Sequence, residues 1–278
     1  LLASRENVGF CVANNRMVEL ARGEHVLLLN NDAALFPDAL ATLADAAAQQ
    51  PPPGILTLPQ YDWETGDLVD RGCLLDPFYN PVPNMDPMRS EVAMVIGACF
   101  WIGRETWELL GGFPEWFESI GEDLYLCCAT RLVGRKVEVT NVSGYLHRQG
   151  HSFGGNKVDS QNLVSSYRRR RLSERNKSYV LFIMTPPTLT WPILCTHIIL
   201  LLLEGFILSV AEMNFRPMKE IYINALTSLW QNREALREHQ RGIRKSASIE
   251  WLEYFSAFKI WPRKLTMLRK YGWPYLRG

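Results

Sequence analysis

The spacing of apolar residues changes its period along this chain, and each change marks a predicted element. Residues 6–22, "ENVGFCVANNRMVELAR", put Phe10, Ala13, Met17 and Leu20 on one face at helical spacing, with Gly23 as the C-terminal cap. "HVLLLN" follows as a short unbroken apolar run, the pattern of a strand buried on both faces of a largely parallel sheet. "FPDALATLADAAAQQ", with Pro37 in its first turn, reads as an alanine-rich helix that stops at "PPPG". Two strand-like runs come next, "GILTLPQY" and "LVDRGCLL", joined by the polar turn "DWETGD". The Pro- and Asn-rich stretch from Asp76 to Ser90 is long enough for a lid. "EVAMVIGACFWIG" leads into the short helix "RETWELLGG". "EWFESIGEDLYLCCATRLVGRKVEV" then gives a helix capped at Gly134, with Leu124, Cys128 and Leu132 inward, and a strand. This alternation predicts an α/β domain over residues 1–155, a mostly parallel sheet flanked by helices.

The pattern breaks at "SYRRRRLSERNKSYVLF". Residues 193–211, "ILCTHIILLLLEGFILSVA", are long and apolar enough to cross a bilayer, with His197 and Glu204 inside the run as costly exceptions. Arg168 to Arg171, Arg175 and Lys177 precede it and a basic tail follows. A single span would therefore leave positive charge on both sides, against the positive-inside rule. The preferred expectation for residues 156–278 is a helical, membrane-associated region on the cytoplasmic face, its apolar segment embedded from one side. "WQNREALREHQRGIRK" then lies on the lipid headgroups, and a true span or a soluble core helix are the alternatives.

Charge sharpens this division. The formal net charge of +1 hides a tail that carries 13 Lys and Arg against 5 Asp and Glu from Asn214 onward. Such a segment calls for an acidic partner, and the aromatics of "WLEYFSAFKIW" suit a membrane interface at least as well as base stacking, so lipid is preferred and no nucleic acid is expected. The hydrophobic content of 47% over 278 residues supports a sizeable core. Six cysteines without CxxC spacing, most of them inside apolar runs, argue against a zinc site or disulfide framework and for a reducing compartment. The opening "LLASRENVGF" resembles neither a signal sequence nor a domain start, so the chain reads as a fragment.

Chemistry concentrates at two places. Asn30, Asn31 and Asp32 directly follow the apolar strand, and ligands of open α/β sheets bind at the carboxyl ends of strands. A hard divalent cation takes few protein oxygens and completes its shell with water and phosphate, so Asp32 is a candidate ligand; the alternative is an Asx turn capping the helix after Pro37. Glu122 and Asp123 open a helix, whose N-terminus favours ionised carboxylates; that position also fits acids that merely stabilise a first turn.

Three separated stretches resemble the family 2 glycosyltransferases of GT-A fold, chiefly their rhamnosyltransferase-like and galactofuranosyltransferase-like members. "ENVGFCVANNRMVELARGEHVLLLNND" is similar to the segment leading into the metal-binding DXD motif. "GACFWIGRETWELLGGFPEWFESIGEDLYLCCATRLVGRKV" is similar to the acceptor-side segment whose Glu-Asp pair holds the catalytic base. "GYLHRQGHS" resembles the later loop whose His completes the metal site. The resemblance covers residues 6–153 and implies Asp123 as base, Asp32 and His147 on Mg2+ or Mn2+, and Asn30 and Asn31 beside them at the nucleotide. Glu122, Trp116 and Trp101 would line the acceptor, although the two tryptophans and Phe117 serve equally as core. His151 and Ser152 would touch phosphate or close the loop, and Gly97 and Gly111-Gly112 would be tight-approach and capping positions. The chain departs from the family in having Asn30 at the first DXD position, Tyr125 where a second acid is common, and no upstream nucleoside-binding strands.

What the resemblance implies is inverting transfer of a sugar from a nucleotide-diphosphate donor to a hydroxyl of a glycan or lipid-linked acceptor, as in cell-surface polysaccharide synthesis. A GT-A-like nucleotidyltransferase and a non-catalytic membrane-bound scaffold are the rival readings.

Overall fold

A computed structural model describes residues 2–3, 5–148, 155–159 and 162–277. The chain forms two compact units. The first comprises Leu1–Leu74, Pro83–Arg148 and Ser246–Ala257, the second Leu75–Val82, Gln149–Lys245 and Phe258–Gly278.

Up to Arg148 the chain order is α1 (Phe10–Leu20), β1 (His25–Leu29), β2 (Ala33–Leu35), α2 (Ala39–Ala47), β3 (Ile55–Thr57), β4 (Gln60–Asp62), β5 (Leu68–Asp70), β6 (Cys73–Leu75), β7 (Pro81–Pro83), β8 (Cys99–Gly103), α3 (Arg104–Leu110), α4 (Glu122–Leu132), β9 (Val137–Val139) and β10 (Tyr145–His147). One sheet of the first unit has the order β1-β8-β3-β9 and another β2-β10-β4-β5. The expectation of a mostly parallel sheet is corrected here. Only β3 with β9 and β10 with β4 run parallel in these two sheets, because β8 inserts antiparallel between β1 and β3. β1 is accordingly an edge strand. Val26 and Leu28 are buried while His25 and Leu29 are exposed, an alternation that three consecutive leucines conceal in the sequence.

Helices cover both faces of the first sheet, as α/β patterning requires. Leu27, Leu56, Cys99 and Trp101 turn toward Ala39, Leu43 and Ala47 of α2, which recur at the spacing of one helix face. Phe100 points the other way, edge-on to Phe113, which also meets Trp107 of α3 and Phe10 of α1.

α1 exists but buries a different face from the one its periodicity predicts. Cys11, Asn14 and Val18 are inside, whereas Met17 is 48% and Leu20 65% exposed. Polar bonds set the rotation: Asn15 accepts from the Phe113 N–H and donates to the Phe113 carbonyl, and Asn14 bonds back to Phe10. The helix ends at Leu20 with Ala21 extended, so Gly23 is not its cap. α4 does end as expected, at a left-handed Gly134, and every residue of it except Asp123 is buried. "GILTLPQY" divides at Leu58-Pro59 into β3 and β4 of different sheets.

The 76–90 segment is tied down rather than lid-like. The buried carboxylate of Asp76 accepts from the backbone N–H groups of Phe78, Asn80 and Arg263, and Asn84 donates to the carbonyls of Arg71 and Arg89. Asp76 and Asn84 thus anchor the segment by buried hydrogen bonds to residues outside it, Arg263 and Arg71.

The later chain forms β11 (Gly155–Asp159), β12 (Asn162–Ser166), α5 (Tyr167–Met184), α6 (Pro187–Ala211), a π-helical segment Met218–Ile223, α7 (Asn224–Gln231), α8 (Arg233–Ser246), α9 (Trp251–Tyr254), α10 (Arg263–Tyr271) and β13 (Tyr275–Arg277). In the second unit Leu201 and Leu208 of α6 pack with Ile221, Tyr222 and Leu276. A buried ionic network joins its elements: Lys264 reaches Glu174 at 2.7 Å and Glu204 at 2.6 Å, Lys177 reaches Glu174 at 2.7 Å and Asn80 at 2.8 Å, and Arg170 pairs with Glu204. α8 leans on α5 through Gln240 and Arg244, which donate to the carbonyls of Phe182 and Thr185, so its inner face is occupied by protein. Tyr254, from the stretch weighed as a base-stacking surface, is buried in the first unit, where Arg131 binds its carbonyl.

Leu43 is wholly buried on α2 and Leu40, one turn away, is 54% exposed. Leu43→Ala is expected to cost about 2–5 kcal/mol by urea unfolding while Leu40→Ala stays within about 0.5 kcal/mol.

Candidate active site

The polar end of β1 and the start of α4 meet at one short piece of backbone, Gly97-Ala98, that leads into β8. The β1/β8 ladder runs from His25 opposite Gly103 to Leu29 opposite Cys99, and the Asn30 N–H extends it by donating to the Ala98 carbonyl at 3.0 Å. On the neighbouring residue the Gly97 N–H donates to Asp123 Oδ2 at 3.1 Å, while Asp123 Oδ1 accepts from the Leu124 N–H at 2.7 Å. Asp123 thus sits in the first turn of α4, at the positive end of its dipole, with a backbone donor on each oxygen. Gly121, left-handed at φ 91°, is the N-cap and starts the helix with its carbonyl. Gly97 is less crowded than expected of a tight-approach glycine, since a methyl there would lie 3.8 Å from the Asp123 carboxylate and 3.9 Å from Phe10.

After Asn30 the chain reverses through a turn closed by Ala33 N–H to the Asn30 carbonyl, with Asn31 exposed at its tip. Asp32 is carried on this turn between β1 and β2. β2 pairs antiparallel with β10, setting His147 opposite Ala33, and the Arg148 N–H donates to the Asp32 carbonyl at 3.0 Å. The imidazole Nε2 of His147 comes to 3.3 Å from Asp32 Oδ1, and both side chains are largely buried. Gly144 lets β10 approach this closely, because a Cβ there would fall 2.5 Å from the Tyr61 ring. The turn does not cap the following helix: α2 has Asp38 as its N-cap residue and no side-chain cap bond.

Burial disfavours the imidazolium of His147 and outweighs the attraction of Asp32, so its pKa falls below the ordinary 6.5 and the ring is neutral at neutral pH. Its Nδ1 is buried and has no hydrogen-bond partner among the described residues. A neutral imidazole beside a carboxylate is a suitable two-donor set for a divalent cation that takes its other ligands from water and diphosphate oxygens. Among the described residues no group of three or more His, Cys, Asp or Glu side chains converges on a metal position. The pair therefore fits as a partial site that a ligand completes.

Glu122 is buried beside Asp123, and with it and Glu115 faces Cys11, whose thiol is raised far above its ordinary pKa, by burial first and these carboxylates next. Trp116 is half-buried and edge-on to Phe117, a core residue that in turn meets Tyr125. Trp101 is not brought to the carboxylates. It stacks on His25 at 5.3 Å and packs over the α2 side of the sheet, the core role that its strand spacing allowed. His151 and Ser152 lie outside the described residues. Sequence reasoning passed over Arg148 and Trp63: the guanidinium lies 4.6 Å over the indole, and the Trp63 N–H donates to the His147 carbonyl. The signal for Arg148 was its place directly after His147.

Neither a family model nor a curated protein matches the sequence. Several solved structures align in part. GalNAc-T7 with UDP, GalNAc and Mn2+ is 14% identical over 66% of this chain at a TM-score of 0.49, and the chain spans 36% of its length. The mannosyltransferase PcManGT of Pyrobaculum calidifontis with GDP-Man and Mn2+ is 17% identical over 88% of this chain and 67% of its own, at 0.44. S. aureus TarS 1-349 with UDP is 14% identical over 88% and 70%, also at 0.44. Likeness at these scores is partial, and the functional reading rests on the site itself.

A pH titration of the His147 ring by NMR, without metal, is expected to give a midpoint below the ordinary 6.5. Asp32→Asn should lower it further, since Asp32 is the group that holds it up. As pH falls, the unfolded chain takes up this proton first, so His147's contribution to stability is complete above the unfolded pKa and declines below it.

Proposed function

We propose that this chain is a GT-A glycosyltransferase resembling family 2, which moves a sugar from a nucleotide-diphosphate donor to a hydroxyl of a glycan or lipid-linked acceptor, with inversion. One observation carries the reading: a carboxylate-imidazole pair at the ends of β1 and β10, and a second carboxylate at a helix start, are both tied to the few residues around the β1/β8 junction. Such chemistry needs a place for a diphosphate and, apart from it, a place for a base.

Asp123 is the base. The acceptor oxygen attacks the anomeric carbon, its proton passes to the Asp123 carboxylate, and the bond from that carbon to the diphosphate oxygen breaks with its electron pair leaving on the diphosphate. The N–H donors from Gly97 and Leu124 orient the carboxylate before the acceptor arrives. Asp32 and His147 are the residues that would hold Mg2+ or Mn2+, which when bound supplies positive charge to the leaving diphosphate. Arg148 adds a permanent cation next to them, braced on Trp63. Asn30 and Asn31 offer amides to the nucleotide, and Glu122 and Trp116 border the acceptor side.

The test is transfer by the full-length protein against a panel of nucleotide sugars with Mg2+ or Mn2+. Metal-dependent transfer from one donor is expected, lowered about 10²- to 10⁴-fold in Asp123→Asn with the fold retained. Asp32→Ala should abolish Mn2+ binding measured by electron paramagnetic resonance. A folded protein that turns over none of the donors refutes the proposal.

A further inference from the structure

α6 is two-faced in a way its composition hides. Thr190, Leu194, His197, Leu201, Gly205 and Leu208 recur every three or four residues and are buried. His197 approaches the Ser178 hydroxyl at 2.9 Å, and Glu204 pairs with Arg170 and Lys264. The residues that made this run costly for a lipid environment thus face protein. The opposite face, with Ile199, Leu203, Phe206 and Val210 exposed at helical spacing, carries no charge over its whole length. Only 33% of the most apolar window of this helix, mean hydropathy 2.3, is buried. A soluble core helix would hide that surface, and single exposed apolar residues are ordinary where a continuous stripe is not.

A span is also disfavoured, because it would draw the charged elements packed along α6 into the hydrocarbon. One long side is occupied by α5, which begins "YRRRRLSERNK", and by Tyr222, packed so closely that a Cβ at Gly205 would fall 2.7 Å from its ring. Exposed cations and indoles elsewhere in the second unit indicate what the free side meets. Arg216, which pairs with exposed Glu220 at 2.9 Å, and Lys219 are exposed just past the C-terminal end of α6, where the Tyr167 hydroxyl donates to Glu212 at 2.8 Å and Arg216 lies 4.4 Å over the Tyr167 ring, with exposed Arg168 next in sequence. Exposed Trp230 and Trp261 each carry an arginine, Arg233 at 4.7 Å and Arg269 at 5.3 Å, an indole-cation pairing suited to the headgroup zone.

We infer that α6 is an in-plane membrane anchor: its outward face lies in one leaflet of an anionic bilayer, with the neighbouring cations at the headgroups and no part of the helix crossing. The anchor stands independently of sugar transfer and is read out without a donor.

Cys195 is exposed while the other five cysteines are buried, so the full chain can be labelled there with an environment-sensitive fluorophore. A second label goes on Val210→Cys in a Cys195→Ser background, about 22 Å farther along the helix. With vesicles containing phosphatidylserine, both labels are expected to shift to an apolar environment at equal, shallow depth by lipid-borne quenchers. Phosphatidylcholine vesicles or high salt should weaken binding. Leu203→Glu with Phe206→Glu, both at exposed positions, should reduce the bound fraction about tenfold or more with the fold unchanged. Labels that remain in water, labels at opposite leaflets, or a concentration-dependent shift without vesicles that marks a second copy on this face would each overturn the inference.

Discussion

The antiparallel register of β1 on β8 is the constraint on which the first unit's site depends. It fixes the end of β1 at Asn30 through Ala98, and the adjoining Gly97 N–H holds the Asp123 carboxylate. Two groups some 90 residues apart are thereby referred to the same dipeptide. A one-residue slip would reverse which side chains of β1 are buried and displace Asn30 from Ala98 together. The hydrophobic packing of Leu27 and Trp101 over α2 is what forbids that slip. Core packing and site geometry are therefore one requirement, met by the same strand pair.

A different economy operates in the second unit. Glu174 and Lys177 are buried and Lys264 is half-buried, and ions removed from water are tolerated only when each is paired. Their network ties α5 and α10 to α6 by directional bonds, leaving the apolar outward face of α6 free of structural duty. His197 and Glu204 face inward beside Leu194, Leu201 and Leu208 while the outward face of α6 is apolar and uncharged, which inverts the usual arrangement of a surface helix.

Much of the fold was legible in local pattern. α2, the helix end at Gly134, the strand before Asn30 and the long apolar helix follow from period, turn residues and caps, which act over a few neighbours. The readings that failed depended on distant partners. The face of α1 was set by Asn15 bonding to Phe113, the direction of the β1 pairing by insertion of β8, and the fixed 76–90 segment by Asp76 reaching Arg263. For the site, Asp32 and the Glu122-Asp123 pair stood out by their places after a strand and at a helix start, while His147 and the role of Asp123 came from the family resemblance alone. Trp101 packs in the core over α2, and the contacts of Arg148 with Asp32 and Trp63 had no local signal beyond its place after His147.

The amino-acid sequence by itself determined the kinds of element, their order, and the residue types that end β1 and begin α4, because these follow from short-range sterics and hydrophobic period. Only the tertiary structure decided that Asp32 faces His147, that a backbone N–H from before β8 orients Asp123, and that His197 and Glu204 turn inward. Each of those is a meeting of groups far apart along the chain, and such meetings are chosen by the joint packing of all the elements rather than by any one segment.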